Sequence, residues 1–100
     1  MNPRTRRQSY RAITKTIVFR LDAPKAREVV LVIRLAKDDT LMARPLRKSI
    51  DGIWNLRTEL ARGRYVYRFL VDGTPTLDTS SMGSVTDAHG DQWSTREIGY

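Results

Sequence analysis

The stretch over residues 61–73 constrains the fold of this chain more than any other. It reads Ala-Arg-Gly-Arg-Tyr-Val-Tyr-Arg-Phe-Leu-Val-Asp-Gly, and its large apolar residues recur at every second position: Tyr65, Tyr67, Phe69 and Val71. This period of two predicts a strand over 64–71 whose aromatic side faces a core. Asp72-Gly73 then suits a tight hairpin, because both residue types tolerate positive φ. A strand with three aromatics in so short a chain is expected to lie centrally in a sheet.

Shorter alternating segments surround this central strand. They cover 15–21, 28–35, 53–59 and 93–98, with weaker extended segments over 42–49 and 74–77. Pro45 interrupts the segment over 42–49. Because proline has no N–H to donate to a neighbouring strand, this segment is predicted to lie at the edge of a sheet. Residues 78–90 are rich in Ser, Thr, Gly and Asp and predict one long loop. No segment of ten or more residues has a helical period. The sequence therefore predicts an all-β fold, an antiparallel β-sandwich of about seven strands.

Length and residue usage exclude several kinds of function. One hundred residues form one domain and leave too little chain for a large enclosed active site. There is no cysteine and one histidine, His89, so neither a thiol nucleophile nor a zinc site is expected. The aspartates fall mostly in turns, where they cap backbone N–H groups, and no glycine-rich phosphate loop is present. We expect a protein that is not an enzyme and that needs no cofactor.

The sequence also carries no targeting or membrane signal. No apolar run approaches the roughly 20 residues that a membrane-spanning helix requires. The N-terminus lacks the apolar core of a signal peptide. We therefore expect a soluble, cytoplasmic protein without a membrane partner.

The net charge of +7 is unevenly distributed. Residues 1–11 hold four arginines and no acid, so they carry four of the seven charges. Residues 1–13 show no sustained period and are predicted to be a flexible basic tail, followed by a folded domain over 14–100. The tail is either an electrostatic arm for a polyanion or a solvated leader. The second interpretation is preferred, and nucleic acid is not expected as a partner, because Tyr10 is the one aromatic residue there and no RNA-binding signature is present.

Several landmarks occur in order along the chain. They are Val18-Phe19, Asp22-Ala-Pro24, Val29-Val-Leu31-Val, Arg44-Pro-Leu46, Asp51-Gly-Ile-Trp54, the run over 60–73, Leu77-Asp78 and Asp87-Ala-His-Gly90. Together they resemble the early-set domain of isoamylases and glycogen-branching enzymes. The same domain is the glycogen-binding domain of the AMP-activated kinase β subunit and is called carbohydrate-binding module family 48. The resemblance covers roughly 15–98. It implies an immunoglobulin-like β-sandwich, an early-set domain over 14–100, that binds α-1,4-glucan of the glycogen or starch type without hydrolysing it.

The sugar-contacting positions that the resemblance implies are only partly kept. Two family tryptophans correspond here to Asp38 and Pro75, and Arg68 keeps the basic residue of the family's Tyr-Lys-Phe. A family asparagine corresponds to Trp93. The candidate glucan contacts are Arg68, Trp93, Gln92 and Thr74. Without aromatic stacking, binding depends on hydrogen bonds to the sugar hydroxyls. Each of these replaces a hydrogen bond to water and therefore contributes only about 0.5–1.5 kcal/mol to the binding free energy. Weak glucan binding is therefore expected.

Arg68 and Trp93 each have two interpretations. Arg68 has the parity opposite to Tyr67 and Phe69, so it should point outward. There it either contacts a sugar hydroxyl or an anion, or it is a solvated arginine whose stem covers its neighbours. Trp93 either supplies a substitute platform near Arg68 or closes the end of the sandwich, and the second interpretation is preferred. Trp54 shares its parity with Leu56 and is expected in the core.

A second function fits the same fold. Val30, Val32 and Arg34 form an outward face that is too apolar for plain solvent. Such a face suits contact with a protein partner or with a second copy in a homodimer. The sequence therefore leaves two functions open, glucan binding or a protein-interaction module that has lost its sugar site.

Overall fold

The computed structural model describes residues 13–99, and no helix is present in that range. Nine strands follow one another: β1 (Thr14–Asp22), β2 (Val29–Leu35), β3 (Met42–Pro45), β4 (Arg47–Lys48), β5 (Ile53–Ala61), β6 (Gly63–Val71), β7 (Thr74–Thr76), β8 (Ser84–Thr86) and β9 (Gln92–Ile98). All the strand pairs are antiparallel. The predicted all-β sandwich class is confirmed.

The strands form two sheets. The small sheet has the order β1-β5-β4, and the large sheet has the order β3-β2-β6-β9-β8, with β7 paired to the end of β6. Within the large sheet, β6 lies between β2 and β9. The prediction that residues 64–71 form a central strand is therefore confirmed.

Aromatic side chains of β6 join the two sheets. Tyr67 and Phe69 are 1% and 0% exposed, so the predicted inward parity is confirmed. The rings of Tyr67 and Phe19, which is on β1 of the small sheet, pack edge to face with their centroids 5.0 Å apart. Trp54 lies in the same core, as predicted. Its indole N–H donates to the carbonyl oxygen of Ala23 at 2.8 Å, which satisfies the polar end of a buried ring.

The hairpin predicted after β6 is also present. Asp72 and Gly73 have φ values of 50° and 84°, the left-handed conformation that this turn requires. The Asp72 carboxylate accepts the backbone N–H groups of Arg27 and Glu28 at 2.9 and 2.8 Å. The turn therefore also fastens the start of β2 to the end of β6.

Two strand assignments made from the sequence are wrong in part. Residues 42–49 form two short strands, β3 and β4, that belong to different sheets. The reason is Leu46, which lies between them, is buried in the core, and donates its N–H to the carbonyl of Val29. Pro45 does lie on the edge strand β3, as predicted. Residues 78–90 are not one loop, because β8 pairs with β9. Backbone hydrogen bonds form this pairing, and the polar side chains of the segment give no periodic signal of it.

The predicted basic tail over 1–13 lies outside the described residues except for Ile13. The tail, the domain boundary and the cytoplasmic location remain predictions. Within residues 13–99, no helix is long and apolar enough to cross a bilayer. The same range holds no group of three or more His, Cys, Asp or Glu side chains placed to share a metal ion.

Replacing the innermost aromatic residue tests this core. Phe69→Ala should lower the free energy of unfolding by about 3–5 kcal/mol, because it removes a fully buried ring and leaves a cavity. Urea denaturation followed by tryptophan fluorescence measures the change. Leu41→Ala is the control, since Leu41 is 52% exposed and should change stability by no more than about 0.5 kcal/mol. Similar losses in both variants would contradict this assignment of the core.

Candidate functional site

The outer face of the large sheet carries a mixture of apolar, basic and aromatic side chains. Residues that are paired across neighbouring strands project to the same face of a sheet. The register of β2, β6 and β9 therefore places on the outer face Val30, Val32, Arg34, Val66, Arg68, Leu70, Trp93 and Thr95. This is the outward face that the sequence predicted, and it holds two of the four candidate contact residues.

Arg68 and Trp93 are in direct contact on this face. The Cζ atom of Arg68 lies 4.2 Å from the centroid of the Trp93 ring. The Cζ atom of Arg34 lies 5.6 Å from the same centroid. Trp93 is 5% exposed and stands outside the main core cluster. The preferred interpretation, that Trp93 closes the end of the sandwich, therefore does not describe its position, and the ring is covered by arginines rather than presented as an open platform.

Asp87 binds the polar edge of the Trp93 indole. The Trp93 Nε1–H donates to Asp87 Oδ2 at 3.0 Å. The second carboxylate oxygen accepts the backbone N–H groups of His89 and Asp91 at 2.8 and 3.0 Å. These bonds, first of all the one from Trp93, hold the pKa of Asp87 below its ordinary value of 3.8. One carboxylate thus orients the ring and orders the loop between β8 and β9.

The two arginines over Trp93 differ in how they are held. Arg34 donates from Nη1 to the carbonyls of Leu35, Ala36 and Asp38 at 3.2, 3.1 and 3.3 Å, which ties it to the loop after β2. Arg68 has a buried Nε without a hydrogen-bond partner among residues 13–99, and its guanidinium lies over the Trp93 ring. A cation over an aromatic ring is worth about 0.5–2 kcal/mol. Stacking on Trp93 therefore accounts for the position of Arg68.

Two shallow grooves meet at Arg68. The first, called here the tryptophan groove, has a volume of about 590 Å³ and is lined by Trp93, Arg68, the apolar side chains of Val32, Leu41 and Leu70, and the acids of two loops. The second, called here the proline groove, has a volume of about 340 Å³ and is lined by Arg68, Pro75, Thr76, Leu77, Gly90, Asp91 and Gln92. Arg68, Trp93 and Gln92 are thus brought together. Thr74 is exposed on β7 and lines neither groove.

Asp38 and Pro75, which the resemblance aligns with two tryptophans of the early-set family, both lie at this surface. Asp38 lies in the loop after β2, where its carboxylate accepts the N–H of Thr40 at 3.0 Å. Pro75 is exposed on β7 and lines the proline groove. No aromatic residue is among the exposed large hydrophobic residues of the part of the chain that the structure describes. A ligand in either groove would meet aliphatic walls, hydrogen-bonding groups and a guanidinium.

The sequence placed Arg34 on the outward face but gave it no part in the site, and it gave Asp87 none either. Arg34 shares its parity with Val32, so its outward direction was visible in the sequence. Asp87 opens a turn-forming Asp-Ala-His-Gly segment, so its capping of backbone N–H groups is ordinary turn chemistry. The contact of each residue with Trp93 crosses between strands or loops and has no local signal.

Comparisons with known proteins support the fold. No family model matches the chain, and no curated protein matches it. Among the solved structures that match is the crystal structure of apo pullulanase from Paenibacillus barengoltzii, at 25% sequence identity and a TM-score of 0.52. The match covers 79% of this chain and 13% of the pullulanase chain. It is consistent with the early-set fold that the sequence resemblance implied, while membership of that family stays a prediction.

The role of Asp87 can be tested by measuring how the stability of the protein depends on pH with and without its carboxylate. Asp87→Asn should lower the denaturation midpoint at pH 7, because one carboxylate oxygen becomes an N–H₂ group that cannot accept a hydrogen bond. The folded pKa is below 3.8, so the stabilisation is present above that pH and is lost as the pH falls through the folded pKa. The difference between wild type and variant should therefore close in acid.

The matched control for this experiment is Asp91→Asn. Asp91 lies in the same loop and carries the same charge, but its carboxylate accepts no hydrogen bond within residues 13–99. Its midpoint should follow that of the wild type at every pH. Equal losses in the two variants would show that loop charge, and not the bond to Trp93, is responsible.

Proposed function

We propose that this chain is a non-catalytic module that binds α-1,4-glucan weakly at the two grooves that meet at Arg68. The observation that carries this proposal is that the Arg68 side chain is held by stacking rather than by hydrogen bonds. Its guanidinium stacks on Trp93, and its Nε is buried without a hydrogen-bond partner among residues 13–99. None of its nitrogens donates a hydrogen bond to another of these residues, so the terminal nitrogens can donate to sugar hydroxyls at the point where the grooves join.

The groove walls suit an uncharged, hydroxyl-rich chain. The proline groove offers the amide of Gln92, the carboxylate of Asp91 and the hydroxyl of Thr76 beside the apolar ring of Pro75. Sugars present both hydroxyl groups and apolar C–H surfaces, so walls of mixed polarity are appropriate for them. Both grooves are shallow and lie on an open sheet face. An extended polymer can therefore cross the site without threading into a closed pocket.

The expected affinity is low for a physical reason. No exposed aromatic ring is available for stacking within residues 13–99. Three or four hydrogen bonds at about 0.5–1.5 kcal/mol each supply roughly 2–6 kcal/mol. A dissociation constant of 1 mM corresponds to about 4.1 kcal/mol, so binding in the millimolar range is expected for a short oligosaccharide. A branched polymer with many chain ends would bind more tightly through repeated contacts.

The acids of the tryptophan groove do not suggest hydrolysis. Glycoside hydrolysis needs one carboxylic acid whose pKa is raised, so that it can donate a proton to the leaving oxygen. The pKa of Asp87 is instead lowered, first by the hydrogen bond from Trp93. A binding role without catalysis is the function that this arrangement favours.

Titration calorimetry with glycogen and with maltoheptaose tests the proposal. Arg68→Ala should weaken binding about two- to tenfold, because one hydrogen bond at a solvent-accessible site is worth roughly 0.5–1.5 kcal/mol. Arg64→Ala is the matched control, since Arg64 has the same strand and parity but lies outside both grooves beside Glu97. Absence of both heat and retardation on glycogen-containing gels would overturn the proposal, as would equal losses in the two variants.

A second function is supported by a different observation. The apolar wall of the tryptophan groove is formed by Val32, Leu41 and Leu70, and Leu41 is 52% exposed. Leu41 is thus an exposed aliphatic residue beside the half-buried Val32 and Leu70, and an apolar wall of this kind suits a protein partner or a second copy.

Light scattering over a range of concentrations separates these possibilities. If this wall forms a homodimer, the mass should rise toward twice the monomer value and Leu41→Asp should reverse the rise. A mass that stays monomeric at all concentrations would contradict the homodimer.

A further inference from the structure

The Trp93 ring lies between opposite charges that contact different parts of it. At the ring edge, the Nε1–H donates to Asp87 Oδ2 at 3.0 Å. Over the ring face, the Cζ atom of Arg68 lies 4.2 Å from the centroid. An aromatic ring is electron-poor at its edge and electron-rich on its faces. The carboxylate and the guanidinium therefore each contact the part of the indole that attracts them.

Asp87 is an anion at neutral pH and is fixed by its own loop. The pKa of Asp87 lies below its ordinary value, first because of the hydrogen bond from Trp93. The residue is half-buried directly after β8, and its backbone N–H donates to the carbonyl of Asp91 at 2.8 Å. Its Oδ1 atom accepts the backbone N–H groups of His89 and Asp91. The loop thus holds the carboxylate by one oxygen, and the other oxygen binds the indole.

The position of Arg68 depends on the Trp93 ring more than that of Arg34 does. Arg34 donates to three carbonyl groups of the loop after β2, so this loop holds it independently of the ring. None of the Arg68 nitrogens donates a hydrogen bond to another of residues 13–99. A tilt of the ring would therefore displace the Arg68 guanidinium first.

We propose that Asp87 is a positioning residue, which fixes the Arg68 guanidinium at the junction of the two grooves through the indole of Trp93. The bond at Nε1 sets the orientation of the ring, and the ring sets the position of the guanidinium. A hydrogen bond to an anion also polarises the indole, and electron density added to the ring face strengthens its attraction for a cation. An arginine that is held in place before a ligand arrives loses less side-chain freedom on binding. The effect on glucan binding rests on the proposed function, whereas the effect on Arg68 in the free protein does not.

Two substitutions remove this link from its two sides. Asp87→Asn leaves one acceptor oxygen where aspartate has two. That oxygen can keep the backbone N–H groups of His89 and Asp91, which puts the N–H₂ group beside the indole N–H, where neither group can accept. Trp93→Phe keeps an aromatic face but has no N–H. The two single variants and the double variant form a double-mutant cycle.

Proton–nitrogen NMR spectra of the free protein measure the position of Arg68 by its Nε–H signal. A proton close to the face of an aromatic ring is shifted upfield, so this signal should lie upfield of that of the exposed Arg57. Asp87→Asn should move the Arg68 signal toward that of Arg57, and the indole signal should move with it. In Trp93→Phe, the same replacement of Asp87 should move the Arg68 signal no further. Glu97→Gln is the matched control, since it removes an exposed carboxylate from the same face of β9 and should leave the Arg68 signal in place.

An Arg68 signal that stays in place in Asp87→Asn would overturn the proposal. Equal movement with tryptophan and with phenylalanine at position 93 would overturn it too, because Asp87 would then act by its charge or through the loop. If Trp93→Phe does not fold, the spectra of the wild type and of Asp87→Asn still decide, since the indole and Arg68 signals must move together.

Titration calorimetry with maltoheptaose tests the consequence for the ligand. Asp87→Asn should weaken binding about two- to fivefold, the range of a cation–π contact at an exposed site. Asp87 also lines the tryptophan groove, so the same change is made in the Arg68→Ala background, where it should cause no further loss.

The calorimetric outcomes separate this proposal from the proposed function. A further loss in the Arg68→Ala background would mean that Asp87 contacts the sugar directly, and this result would overturn its role through Arg68. Unchanged binding by Asp87→Asn would overturn that role as well. Absence of binding by the wild-type protein would contradict the proposed function alone, and the NMR comparison would then decide how Arg68 is held.

Discussion

The contact between the rings of Phe19 and Tyr67 is the constraint on which both faces of the protein depend. It joins the small sheet to the large one, with ring centroids 5.0 Å apart. Side chains alternate along a strand, so a slip of one residue would exchange the inner and outer faces. With Tyr67 held inside, Arg68 must lie outside, in the position where it reaches Trp93. The position of the candidate site on β6 is therefore a consequence of core packing.

The outer face of the large sheet presents no exposed aromatic ring among residues 13–99. The family to which the sequence is similar places aromatic rings where this chain has Asp38 and Pro75. The remaining tryptophan, Trp93, is covered by two guanidinium groups and bonded to Asp87. The faces of the Trp93 ring are therefore in contact with side chains of the protein and are not available for stacking on a sugar ring. The proposed glucan site is therefore a set of hydrogen-bonding groups beside aliphatic walls, which is why weak binding is expected there.

Most of the fold could be predicted because its strands carry clear alternation. The central place of β6, the inward direction of Tyr67 and Phe69, the core position of Trp54 and the hairpin at Asp72-Gly73 are all confirmed. β8 was missed because Ser84, Val85 and Thr86 are all exposed, so no buried parity marks them. The separation of β3 from β4 was missed because Leu46 enters the core between them, and a single inward residue has no period.

The sequence by itself determined which residues lie inside and which lie outside, since burial of alternate apolar side chains is a property of each strand alone. It also determined that the outward set would include Arg68. Only the tertiary structure decided that Trp93 lies beneath Arg68 and Arg34, that Asp87 holds its indole, and that Thr74 stands apart from both grooves. These contacts join β2, β6, β9 and a loop that are distant along the chain. They therefore depend on strand order and register, which local periodicity does not specify.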